Sequence, residues 1–290
     1  MIDREKKEVF FEPNTKVSDL EEIQDTYQTF TTIKINRVHN GQFEKTTKYV
    51  VEEVPIALSY HGTTHAVMMA TPDDLVDFAY GFSLTEGIVA HPSEIESIKI
   101  LSLPHGIDVQ IFLKIARRDA FQTRRRHMAG PVGCGLCGIE SIDAAMRDVP
   151  YVTSSVILSQ NHIFNAIERL YDYQTLNAQT RAAHAAAFYS FSDGIIALKE
   201  DVGRHNALDK LCGFIIRHQT PRDQGFIIVT SRLSTEMVQK AAMANVASIV
   251  AVSAPTAEAI RIGERAGMTL IGRARKDGFE IYAGSQNIEM

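Results

Sequence analysis

The sequence predicts an α/β protein: a larger C-terminal α-β-α layered unit on a parallel sheet, preceded by a smaller α+β unit. Three observations carry this. Between residues 225 and 272, "GFIIVT", "STEMVQKAAMANV", "SIVAVSA", "TAEAIRIGERAG" and "MTLIG" alternate short apolar runs with amphipathic stretches, the rhythm of βαβαβ. The N-terminal third instead strings together β-branched runs divided by turn chemistry. At 290 residues the chain exceeds the usual size of a single core, so two units are expected.

Residues 1–28 read as a polar lead-in, 29–126 as the small α+β domain and 127–290 as the α/β domain. "TTIKINRV", "TTKYVVEE", "IALSY" and "HAVMMA" read as strands, with "HNGQ" and "HGTT" as turns. "TPDDLVDFAYGFSLTEG" carries a helix start, with Thr71 as cap, Pro72 in the first position and Asp73 and Asp74 in the first turn, and Gly87 as its stop. Strands follow at 98–102 and 109–115, and the arginine-rich 117–127 connects the two units. Further on come helices at 139–147 and 159–173, strands "HAAAFYS" and "GIIALK", and a helix beginning near His205 or Asn206.

With 45% hydrophobic and 22% charged residues, the composition is that of a globular protein rather than a disordered one. The start is charged from its third residue and lacks a signal-peptide pattern, and no apolar run approaches the roughly 20 residues that span a bilayer. A soluble cytoplasmic protein without membrane contact is therefore expected. A net charge of -5 speaks against general nucleic-acid binding, which needs a broad basic face. Three cysteines without an export signal speak against a disulfide framework.

In open parallel sheets, ligands bind beyond the carboxyl ends of the strands, beside helix N-termini that attract anions. The candidates there are Thr230, Ser231 and Arg232, then residues 253–256, then Gly272, Arg273 and Arg275. Ser234 and Thr256 are equally explained as helix caps. "KEDVGRHNALDKL" is the densest polar cluster. In it Asp201 and His205 form a possible acid/base pair and Arg204 a possible oxyanion or phosphate ligand, or the whole group ties a turn to a helix. His184, amid small apolar residues, reads as a core histidine.

Cys134 and Cys137 form a single C-x-x-C in "GPVGCGLCGIE". Such a pair supplies only two zinc ligands, and Cys212 in "LDKLCGFII" reads as a buried small hydrophobe. None of the ten histidines is followed two residues later by glutamate, so the H-x-E half of a zinc deaminase is missing and no metal site is assigned. The flanking glycines suit a thiol that reaches out, and residues 124–127, three arginines and a histidine, favour its thiolate. On residue chemistry alone, sulfur or acyl carriage, redox chemistry and half-site metal binding remain open. A nucleotide-binding or zinc/redox C-x-x-C regulatory module is the alternative reading of the whole chain.

"EEVPIALSYHGTTHAVMMATPDDLVDFAYGFSLTEGI", "GCGLCGIE" and "EDVGRHNALDKL", supported by "SRLSTEMVQKAA" and "AVSAPTAEA", together resemble the FdhD/NarQ family, the formate dehydrogenase accessory sulfurtransferases. The resemblance implies a cytidine-deaminase-like larger domain and a persulfide carrier. Such a carrier takes sulfur from a cysteine desulfurase and delivers it to the molybdenum cofactor, bis-molybdopterin guanine dinucleotide, destined for formate dehydrogenase. It implies Cys134 as the persulfide carrier, Cys137 as its relay or assistant, and a homodimer. It implies binding of the cofactor's guanine nucleotide at Arg273, Ala274, Arg275, Lys276, Asp277 and Gly278, which the strand-edge argument joins to Ser231, Arg232, Arg204 and His205. Two positions depart from the family pattern: Arg181 stands where glycine is expected, and Arg273 where an aromatic is expected.

Overall fold

A computed structural model describes residues 8–11, 27–118 and 149–289 of the chain. Strands β2 (Phe30–His39) and β3 (Gln42–Val51) form a ten-residue antiparallel ribbon. Its two-residue turn, Asn40-Gly41, has φ of 49° and 76°. Two positive φ angles match the twist of a hairpin, which is why this dipeptide reads as a turn in the sequence. The same device, His61-Gly62, joins β4 (Val54–Tyr60) to β5 (Thr63–Ala70). With β1 (Glu8–Phe11), β6 (Ile95–Leu103) and β7 (Gly106–Leu113) they build a five-stranded sheet, order β1-β6-β7-β4-β5, in which β4 and β7 are parallel.

One edge corrects the sequence reading. β1 (Glu8–Phe11), inside the expected polar lead-in, pairs antiparallel with β6. Four residues in a charged context leave no pattern from which a strand can be recognised.

The helix after β5, α1 (Leu75–Thr85), also starts later than expected. Its N-cap is Asp74 in the left-handed region, φ 53°, without a side-chain capping bond. Thr71 does not cap it, because its polar groups are taken elsewhere: its N–H donates to Asp201 Oδ2, its hydroxyl accepts from the Val202 N–H and its carbonyl accepts from Lys210 Nζ. Gly87, φ 67°, follows the helix end as expected.

β8 (Leu158–Ser159) pairs with β15 (Ile288–Glu289), and Ser159 caps α2 (Gln160–Tyr173) by accepting from the His162 N–H. After α3 (Thr175–Thr180) comes the second sheet, of six strands, order β10-β9-β11-β12-β13-β14. Its members are β9 (His184–Ser190), β10 (Gly194–Asp201), β11 (Gly225–Val229), β12 (Ser248–Ala251), β13 (Thr269–Arg275) and β14 (Gly278–Ala283). The predicted βαβαβ is present: β11, β12 and β13 are parallel, linked by α5 (Thr235–Met243) and α6 (Ala257–Arg265). Strands β11 and β12 are buried at every residue, the mark of a parallel sheet covered on both faces.

α4 (Arg204–Arg217) joins the two sheets by packing along α1. All of α1 except Val76 is buried, and residues of both sheets share one hydrophobic cluster, with Phe78, Ile111, Phe188 and Ile227 among its fully buried members. A helix buried all round lies between layers rather than on a surface. Among the described residues no helix is long and apolar enough to cross a membrane.

Candidate functional site

The polar cluster "KEDVGRHNALDKL" divides in two. Its Asp201 end is structural: Asp201 and Lys210, both fully buried, pair at 2.7 Å. The Asp201 Oδ2 that pairs with Lys210 also accepts from the Thr71 N–H (3.1 Å), and Oδ1 accepts from the Gly203 N–H (2.7 Å) and Asn206 Nδ2 (3.0 Å). Charges so deep are tolerated because each is paired and hydrogen-bonded. Gly203, the N-cap of α4, sits where a Cβ would stand 2.7 Å from Asn206 Nδ2, so this network also accounts for the glycine. Asp201 and His205 are thus no acid/base pair; the tie between turn and helix, the other reading of this cluster, describes Asp201.

The other end faces the carboxyl edge of the parallel sheet. His205, second residue of α4, pairs through Nδ1 with Glu236, second residue of α5, at 2.7 Å. That hydrogen bond holds the Glu236 carboxyl below its ordinary range despite partial burial. The N-termini of two helices therefore meet here. Around them three buried polar atoms, Arg204 Nε, His205 Nε2 and Ser234 Oγ, have no hydrogen-bond partner among the described residues. Ser234 is the N-cap of α5, yet its hydroxyl makes no capping bond, whereas Thr256 caps α6 by accepting from the Ala259 N–H. The two hydroxyls that the sequence leaves equivalent are thereby told apart.

His184, read from sequence as a core histidine, is half-buried at the start of β9, beside this corner. Burial, then the nearby Arg204 and His205, push its pKa below the ordinary value, against the pull of Asp201. Ser231 is buried and spends its hydroxyl on the Arg232 carbonyl, while the Arg232 side chain is exposed.

The "RARKDG" segment lies differently from expectation. β13 runs on to Arg275, so Gly272, Arg273 and Arg275 lie within the strand rather than after it, and Lys276 and Asp277 form the turn to Gly278 of β14. A register shift at this end carries Arg273 at φ 51°, with its exposed side chain 3.5 Å from Glu280. Ala274 is fully buried. Arg275 donates to the carbonyls of Val252 and Ala274, and Lys276 stands 3.8 Å from Glu168. The loops between these groups are stitched together: Leu233 pairs with Pro255, and the Arg273 N–H donates to Ser253 O. With β12 between them, the ends of β11 and β13 are about 10 Å apart, so both candidate groups share one sheet edge.

Cys134 and Cys137, the basic residues 124–127, the expected helix 139–147 and the boundary between 126 and 127 lie outside the described residues. Cys212 is fully buried in α4, and burial pushes its thiol far up, which suits an inert core residue.

The model of the FdhD/NarQ family matches residues 51–289. The chain belongs to the FdhD/NarQ family. Among FdhD/NarQ relatives, a protein named sulfur carrier protein FdhD from Agrobacterium fabrum is 53% identical over 240 residues, 82% of this chain and 89% of the relative. Proteins of the same name from Brucella abortus and Xanthomonas campestris are 49% and 42% identical, covering 83% and 88% of this chain and 90% and 91% of their own. A solved structure from Desulfotalea psychrophila, assigned as a formate dehydrogenase accessory protein, superposes with a TM-score of 0.73 over 90% of this chain and all of its own. At 21% identity that likeness speaks for the FdhD/NarQ fold alone.

Proposed function

We propose that this protein is a sulfur carrier in the maturation of formate dehydrogenase. In this reading it works in the cytoplasm as a homodimer. Cys134 takes sulfur from the persulfide of a cysteine desulfurase and hands it to the molybdenum cofactor, bis-molybdopterin guanine dinucleotide, which is the protein's client rather than its own prosthetic group. Membership of a family whose relatives are named sulfur carriers supports the first half, together with the glycine-framed "GCGLCG".

The observation that carries the second half is the trio of buried, unpartnered atoms on Arg204, His205 and Ser234. Native proteins rarely leave buried polar atoms unpaired. A phosphate oxygen accepts from a guanidinium and a hydroxyl, and helix N-termini favour its charge. The chemistry of the donor set therefore fits the diphosphate of a guanine nucleotide. Arg232, and the segment from Arg273 to Gly278 across the edge, would take its nucleoside.

In the loading step the Cys134 thiolate attacks the outer sulfur of the donor persulfide. The new S–S bond forms on Cys134, the old one breaks, and its electron pair leaves with the donor's inner sulfur as thiolate, so no oxidant is required. Glycines give the attacking thiol access and the neighbouring arginines raise its thiolate fraction. Cys137 stands three positions on, as a relay. The reading is tested in a strain whose formate dehydrogenase depends on this protein. Cys134→Ala is expected to yield dehydrogenase that is made but inactive, and full activity with that variant would overturn the reading.

A further inference from the structure

The corner between α4 and α5 holds a feature that phosphate binding by itself does not require. A carboxylate only accepts, so the 2.7 Å contact with Glu236 places the hydrogen on Nδ1 of His205. In the neutral ring Nε2 is then a bare lone pair, and this atom is buried without a partner. A lone pair repels a phosphate oxygen; the same nitrogen carrying a proton donates to it.

We infer that binding of a nucleoside diphosphate at this corner is coupled to uptake of a proton at His205 Nε2, with Glu236 as the positioning residue that fixes the ring and faces the charge created. This rests on reading the corner as the phosphate site. The charged and titratable groups around the ring come from four elements: Arg204 on α4 itself, Glu236 on α5 with Lys240 one turn further, His184 on β9, and Asp201 at the end of β10. Arg204 and His184 stand beside the ring and oppose a second proton, and the one anion in contact with it, Glu236, lies on the Nδ1 side. A diphosphate adds an anion on the Nε2 side, so proton and ligand enter together. The grip is then strongest on the acidic side of neutrality and weakens as the pH rises.

The test is calorimetric titration of the full chain with GDP at pH 7.5 in two buffers of different ionisation enthalpy, repeated from pH 6 to 8.5. The inference expects a buffer-dependent enthalpy corresponding to a substantial fraction of a proton taken up. It also expects an affinity that falls by up to about tenfold per pH unit. His205→Gln should bind more weakly and lose that buffer dependence, so the difference between the two proteins separates the ring from the ligand's own titration. Glu236→Gln keeps an acceptor for Nδ1–H but not the charge, and should move the pH profile toward lower pH. GDP binding with equal enthalpy in both buffers overturns proton coupling and leaves the phosphate site standing. An unmoved profile in Glu236→Gln removes Glu236 from the role, and no binding of GDP by the wild-type protein overturns the phosphate reading itself.

Discussion

Gly81 of α1 and Gly213 of α4 cross backbone to backbone: a Cβ on Gly81 would stand 2.8 Å from Gly213 N and 1.7 Å from Asp209 O, and one on Gly213 2.9 Å from Gly81 N and 1.8 Å from Asp77 O. This contact joins the helix of the first sheet to the helix that begins at the candidate site. Ion pairs lie along it: Lys240 with Asp209 and Glu86, and Asp77 with Lys199 and Arg217. Burial works against the Lys240 ammonium, but the Asp209 and Glu86 carboxylates hold its pKa above the ordinary lysine value.

Gly81→Ala or Gly213→Ala is therefore expected to destabilise the protein by about 3 kcal/mol or more, since neither backbone can move aside without parting the helices. Gly278, where an added Cβ meets nothing within 4 Å, serves as the contrast. Its alanine variant should stay within about 0.5 kcal/mol of wild type. Urea unfolding checks both.

Lys210→Met leaves the Asp201 carboxylate buried without its cation. A loss of about 3–5 kcal/mol is expected in the same unfolding measurement. A change below about 1 kcal/mol would show that the Thr71, Gly203 and Asn206 donors suffice without the lysine.

Arg181 ends α3 in the left-handed conformation, φ 56° and ψ 27°. A side chain is disfavoured there, which gives a physical reason to expect glycine at this position. Arg181→Gly is expected to be neutral or to stabilise by up to about 1 kcal/mol. Clear destabilisation would mean that the arginine makes a compensating contact.

The acid limb of stability should carry two signatures. The folded-state pKa of His184 is lowered, so the unfolded chain takes the proton first, and stability is lost as the pH falls from about 6.5 through the lower folded value. Glu236 is also lowered, so its contribution is present above the ordinary glutamate value and lost as the pH falls further, through the folded one. His184→Gln should flatten the first loss and Glu236→Gln the second, read from unfolding free energies between pH 7 and 3.

Elements fixed by their own residues were legible from sequence, and elements fixed by distant ones were not. The βαβαβ run, the Asn40-Gly41 turn and the helix expected over 159–173 are local patterns, and all appear in the structure. Thr71 failed as a cap because Asp201, Val202 and Lys210 claim its polar groups. The strand end at Gly272 was placed too early because β14 extends β13 by pairing as far as Arg275. At the candidate site Arg204 and His205 were visible in "VGRHN". Glu236 and the idle Ser234 hydroxyl were not, since only the meeting of α4 and α5 gives them meaning. His184 was hidden by its apolar neighbours: Ala185, Ala186 and Ala187 are buried, whereas His184, first residue of β9, is half-buried beside Arg204 and His205.

The central claim is that Cys134 carries sulfur, and peptide-resolved mass spectrometry tests it most directly. The protein is incubated with a cysteine desulfurase and cysteine, then digested without reductant. The account predicts one added sulfur on the peptide containing Cys134, removed by a thiol and absent from Cys134→Ala. An unmodified Cys134 peptide beside a demonstrably active desulfurase would contradict it.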